Sequence, residues 1–230
     1  AQPGQEVRVH FGGQDKAAVG NEKGEWMLRL GPMEASGDGR KLTVAAGEEV
    51  QVFRDVVVGE VWLASGQSNM QFSLDACARR LAEVKAAVDD PEECGIRMLR
   101  IGSGDQEGAV EDIDRQRNHW RVDGPDVRGG QSAVAFFFAQ RLWEELKVPI
   151  GIIETSWGGK PIEGVIPREA YSSHEALRPI LPLADGNRLE ELKKLEGGVF
   201  VRNTAGLPGR IFNARLAPVA PFAVRGAIWY

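Results

Sequence analysis

The sequence predicts an α/β protein: a parallel sheet with helices on both faces, preceded by a partial antiparallel β-sandwich module. Three observations carry this. Up to residue 57, short alternating runs are separated by Gly-rich turns, the pattern of antiparallel strands. From residue 58 onward, apolar runs alternate with segments of helical periodicity in the order strand, helix, strand, helix, strand, which calls for right-handed crossovers and parallel neighbours. The length of 230 residues, 43% hydrophobic and 27% charged, supplies core enough for a β-rich module over 1–57 and an α/β unit over 58–230.

In chain order, Val7-Arg8-Val9-His10-Phe11 alternates, Gly12-Gly13 turns, and Lys16 to Val19 returns. Asn21-Glu22-Lys23-Gly24 is a second turn signal before the alternating Glu25 to Leu30, and Gly37-Asp38-Gly39 and Gly47 punctuate strands at Lys41–Val44 and Val50–Phe53. Val56 to Ala64 has the composition of a strand buried on both faces. Leu74, Cys77, Ala78, Leu81, Val84 and Val88 share one face of a helix from Leu74 to Val88. Ile96–Ile101 is the next strand, 102–117 a polar loop, Ala135–Leu146 a second helix, and Ile150–Thr155 a third buried strand. A short helix carries Leu189, Leu192 and Leu195 and ends at Gly197-Gly198, and Val224–Tyr230 reads as a fourth parallel strand.

The strand ending at Ala64, the break at Gly66 and the helix from Leu74 meet at Ser68. A serine there stands at the carboxyl end of a sheet strand, where open α/β sheets take ligands, and beside helix N–H groups that favour negative charge. That suits a nucleophile whose reaction makes an oxyanion. Ser68-Asn69-Met70-Gln71 equally fits a Ser-x-x-Gln capping box, in which Ser68 only caps a helix.

Gly59-Glu60-Val61-Trp62-Leu63-Ala64-Ser65-Gly66-Gln67-Ser68-Asn69-Met70 resembles the nucleophile block of the sialate O-acetylesterase family, a branch of the SGNH hydrolases. Ile152 to Glu163, Phe212 to Pro218 and Arg225 to Tyr230 are similar to further family segments in the same order. The resemblance implies a flavodoxin-like SGNH hydrolase fold whose N-terminal portion occupies 58–230, and a serine esterase that removes O-acetyl groups from a sugar without a cofactor. It implies Ser68 as nucleophile and oxyanion donor, with Gly158 or Gly159 as a second donor, and Gln67, Asn69, Trp157 and Asn213 as substrate contacts. Lys160 stands where the family carries Thr. The family takes its base from an Asp-x-x-His segment; His10, His119 and His174 stand in no such segment, so the expectation is a chain that needs a C-terminal remainder of its own enzyme for full activity. A non-catalytic carbohydrate-binding or adaptor chain of the same fold is the alternative.

Trp157-Gly158-Gly159-Lys160-Pro161 follows a parallel strand and so falls on the same sheet edge as Ser68, where two glycines let backbone N–H groups approach a ligand; a simple Gly-Gly turn is the plainer possibility. A phosphate cradle is disfavoured because Gly-x-x-x-x-Gly-Lys-Ser/Thr is missing, and no His/Cys/Asp spacing points to a metal. The net charge of −5 without a basic block argues against nucleic acid, and no run nears the ~18 apolar residues of a membrane span. Cys77 and Cys94 are read as buried thiols; a bridge between them would support export to a periplasmic or extracellular space, which is the expected location.

Overall fold

The computed structural model describes residues 1–230 apart from Ser103, Asn187, Lys193 and 195–203. The first sheet holds strands β1 (Glu6–Phe11), β2 (Gln14–Val19), β3 (Ser36–Ala46) and β4 (Glu49–Val58), antiparallel in the order β2-β1-β3-β4. Its buried side chains are Val7, Val9 and Phe11, alternating with exposed Glu6, Arg8 and His10, as a sheet with one solvated face requires. The alternating Glu25–Leu30 stretch is not a strand. Asn21 accepts from the amides of Lys23 and Glu25 to fold the chain back, and the Gln14 side chain takes both backbone polar groups of Gly31 (2.7 and 3.2 Å). Those bonds hold the two ends of the stretch by side chains instead of a ladder.

The second sheet contains β5 (Glu60–Ser65), β6 (Ile96–Arg100), β7 (Trp120–Val122), β8 (Ile150–Glu154) and β9 (Gly226–Trp229) in the order β7-β6-β8-β5-β9. All its neighbours are parallel except β7, an edge strand running against β6. The apolar run 56–64 is therefore two strands, split at Gly59: Val56–Val58 pairs in the first sheet and 60–65 in the second. The Glu60 amide donates to the Pro149 carbonyl at the seam (2.9 Å), and Arg97 reaches across to Asp55 (2.9 Å).

The helices are α1 (Ser68–Gln71), α2 (Leu74–Ala78), α3 (Ala82–Asp89), α4 (Pro125–Arg128), α5 (Ala133–Leu146), α6 (Arg168–Ser173), α7 (Ile180–Asp185) and α8 (Leu189–Leu192). The periodicity from Leu74 to Val88 is thus carried by two helices, because Leu81 adopts an extended conformation and turns the chain between them. One face of the parallel sheet packs Trp62, Met98, Ile150 and Ile152 against Met70, Leu74, Phe136 and Ala139. The other packs Leu99, Ile101 and Ile153 with Val61 and Leu63 beneath Ile113 and Val219. A buried ion pair, Arg128 to Asp123 at 2.7 Å, also donates to the carbonyls of Ala87, Asp90 and Glu92, tying the end of α3 to the strand edge. Residues of α6 to α8 form a satellite cluster around Tyr171. The predicted end of the last helix, at Leu195 and Gly197-Gly198, lies outside the described residues. Cys77 and Cys94 are free, half-buried thiols. Among the described residues no helix is long and apolar enough to cross a membrane.

Candidate active site

Strand β5 delivers the chain to the carboxyl edge of the sheet at Ser65, and Gly66 turns it with φ +134°. A side chain at Gly66 would drive into the Tyr230 carbonyl, so glycine is required both for the turn and for the close approach of β9. The Gln67 amide donates to that same Tyr230 oxygen (2.8 Å). Ser68 then opens α1 as an exposed residue, and among the described residues its hydroxyl has no hydrogen-bond partner. The capping box does not form. Ser73 caps α2 by accepting from the Ala76 amide (3.3 Å), and Gln71 spends its side-chain oxygen elsewhere.

The loop after β8 meets this turn. A Cβ placed on Gly158 would lie 3.2 Å from Ser68 Cα and 3.3 Å from its Cβ, so the two backbones are in direct contact. The Gly158 amide donates to Gln71 Oε1 (2.8 Å) and is thereby committed. Gly159, at φ +69° with open space where a side chain would be, is exposed, and among the described residues its amide has no hydrogen-bond partner. The Gln67 side chain donates to the Lys160 carbonyl (2.5 Å) and clips the two loops together. Trp157 lies under two cations, with Lys160 Nζ 4.3 Å and Arg215 Cζ 5.0 Å from its ring centroid. A narrow crevice lined by Gln67, Trp157, Lys160, Ile162, Leu216 and Trp229 opens beside Ser68.

Asn69 is exposed, and among the described residues its side chain has no hydrogen-bond partner. Asn213 sits in the π-helical turn Phe212–Leu216, where its amide nitrogen donates to the carbonyls of Glu107 (2.7 Å) and Gln106 (3.3 Å), bracing the loop after β6. The three histidines are apart from this turn in their contacts: His10 is on β1, His174 follows α6, and His119 precedes β7, all exposed. Among the described residues no cluster of metal-ligating side chains occurs.

Three groups outside the predicted set hold the edge together. Arg215, buried, donates to the carbonyls of Ile101 (3.1 Å), Gly102 (2.9 Å), Thr155 (2.9 Å) and Ser156 (2.6 Å), fixing the ends of β6 and β8 in one guanidinium fork. Burial pulls its pKa down to about 10, against the favourable field of Glu154. Glu154 is 1% exposed, and burial raises its carboxyl above the ordinary range, opposed by Arg100, by the Ser156 hydroxyl (2.6 Å) and by Arg215. Gln71 is the third. No sequence pattern pointed to these roles, although Gln71 stands in the Ser-x-x-Gln match and Glu154 and Arg215 in the resembling segments.

No family model matches the chain. It is 28% identical over 220 residues to the sialate O-acetylesterases of Pongo abelii and Homo sapiens, an alignment covering 89% of this chain and 37% of each relative. The Rattus norvegicus sialate O-acetylesterase is 27% identical over 232 residues, covering 89% of this chain and 41% of the relative. The crystal structure of a carbohydrate acetylesterase from Xanthomonas citri superposes with a TM-score of 0.78 at 26% identity, covering 100% of this chain and 45% of that one. The chain therefore spans about two fifths of the length of the proteins it matches. Along most of its sequence the chain is thus similar to sialate O-acetylesterases, and along all of its fold to a carbohydrate acetylesterase.

Proposed function

We propose that this chain carries the nucleophile and part of the oxyanion site of an esterase that removes O-acetyl groups from a sugar. The observation that carries the reading is the contact of Gly158 with Ser68, which brings the 157–159 backbone beside the serine. Ser68 Oγ attacks the acetyl carbonyl carbon, the carbonyl π electrons move onto oxygen, and the sugar oxygen departs with a proton to leave an acetyl-serine that water then hydrolyses. The oxyanion takes hydrogen bonds from the Ser68 amide and from Gly159, since Gln71 already occupies the Gly158 amide. Gln67 and Trp157 hold the loop at the reacting centre, and Asn69 faces the open sugar side. The proton acceptor for Ser68 is a histidine that none of His10, His119 and His174 provides, because none is bonded to the serine. The β-rich 1–57 module supports the catalytic unit over 58–230, the substrate is an acetylated carbohydrate rather than nucleic acid or membrane, and the protein works outside the cytoplasm.

Hydrolysis of p-nitrophenyl acetate tests the reading. The chain should turn over slowly, on the order of 10⁴-fold below a complete triad, and should gather an acetyl group on Ser68, seen by peptide mass spectrometry, that Ser68→Ala cannot carry. Ser68 left unacetylated while other side chains react would refute it. That outcome would favour the second reading, a carbohydrate-binding chain that keeps the fold, which the absence of a histidine bonded to Ser68 supports.

A further inference from the structure

A second cavity, of about 330 Å³, opens on the same sheet edge between β6, β7 and the entry to α5. Its chemistry-bearing lining is Arg100, Arg117, His119, Arg121, Gln131 and Glu154. It is separate from the crevice beside Ser68 but joined to it by two short chains of contact. On one side Gln131 precedes Ser132, whose hydroxyl donates to Met70 Sδ (3.5 Å), two residues from Ser68. On the other Glu154 is bonded to Ser156, two residues before Gly158.

The charges in this cavity do not cancel. Its one carboxylate, Glu154, is already paired with Arg100 (3.3 Å) and bonded to Ser156, while Arg117 leans outward on Asp114 (3.4 Å). Arg121 has neither an ion pair nor a hydrogen bond among the described residues. A surplus of cation is thus gathered on a protein whose net charge is −5. The second observation is Gln131. It is 6% exposed, its backbone is bound to Arg128 and Leu74, yet both polar atoms of its side chain lack partners. A buried amide left so is unfavourable unless a ligand supplies the missing bonds. An amide that donates and accepts, beside an uncommitted guanidinium, matches a ligand carrying hydroxyls and an anionic group together.

We propose that this cavity binds a carboxylate-bearing sugar unit, held apart from the acetylated unit at Ser68, with Arg121 taking the carboxylate and Gln131 the hydroxyls. That the ligand is a sugar rests on the esterase reading; that the cavity binds an anion with hydroxyls does not. Calorimetric titration of the chain with glucuronate, glucose and inorganic sulfate decides it. Glucuronate should bind roughly tenfold more tightly than glucose, the factor carried by one charge-assisted hydrogen bond, and also more tightly than sulfate. Arg121→Gln should erase the preference over glucose, Gln131→Leu should weaken both sugars, and Ser68→Ala should bind glucuronate as the parent does. Equal affinity for glucuronate and glucose, sulfate binding as tightly as glucuronate, or no binding by a chain whose circular dichroism is intact would each overturn the proposal. Because the readout is binding, a chain that takes glucuronate yet fails the p-nitrophenyl acetate test would refute the esterase reading alone.

Discussion

Strand β1 buries every second side chain, whereas β8 buries Ile150, Ile152, Ile153 and even Glu154. The antiparallel sheet leaves Val19, Val50 and Val52 in solvent on its outer side, so its strands are stabilised by one thin layer around Val7, Val9 and Phe11. The parallel sheet is closed on both faces, and there a polar group is held without water. Glu154 and Arg215 are displaced from their ordinary proton affinities for that reason, while the loops at the ends of the same strands carry the candidate chemistry. A sheet enclosed on both sides thus does two things that an open one does not: it fixes loop ends rigidly, and it perturbs the acids and bases beside them.

The largest effect should come from the enclosed region. Phe136, on α5, is fully buried against the sheet, with Arg128 5.5 Å over its ring, so Phe136→Ala should cost about 3–5 kcal/mol in urea unfolding. Val9→Ala, in the thinner layer, should cost about 2 kcal/mol, from the methyl groups lost and the small cavity left. Glu154→Gln sharpens the contrast through pH. Because the folded carboxyl is raised, the native state holds its proton longer than the unfolded chain does; wild-type stability therefore falls as pH rises from the ordinary carboxylate range through the raised value. The variant lacks that fall, so its urea midpoint should gain on the parent's as pH rises above the ordinary carboxylate range; parallel midpoints would contradict the burial argument. Smallest should be Val52→Thr on the open face, within about 0.5 kcal/mol. A loss there as large as that of Val9→Ala would mean that the outer face is not free in solution.

The same distinction governs what the sequence made legible. β1 was readable because alternation is a local property, and β6 and β8 because a continuous apolar run between turns has few other uses. Glu25–Leu30 alternates equally well, but the Gln14 amide outbids a neighbouring strand for Gly31, a contact across 17 positions. The split at Gly59 was hidden because valines continue through it while the pairing partner changes. β7 has only exposed side chains and so leaves no apolar trace. At the site, glycines marked the Ser68 turn and the 158–159 loop. Gln71 and Arg215 stayed invisible, since their meaning lies in partners 87 and 59 to 114 residues away.

Tyr230 has a consequence for how the site comes into being. Its carbonyl receives the Gln67 amide and its own amide donates to Ser65, so the turn bearing the serine is completed by a residue far along the chain from it. Contacts of such long sequence separation form late in folding, after their loop entropy has been met by other pairings. The hydroxyl would thus be brought into place only after β5 and β9 have met, and chains in which they have not would hold a serine without an ordered setting.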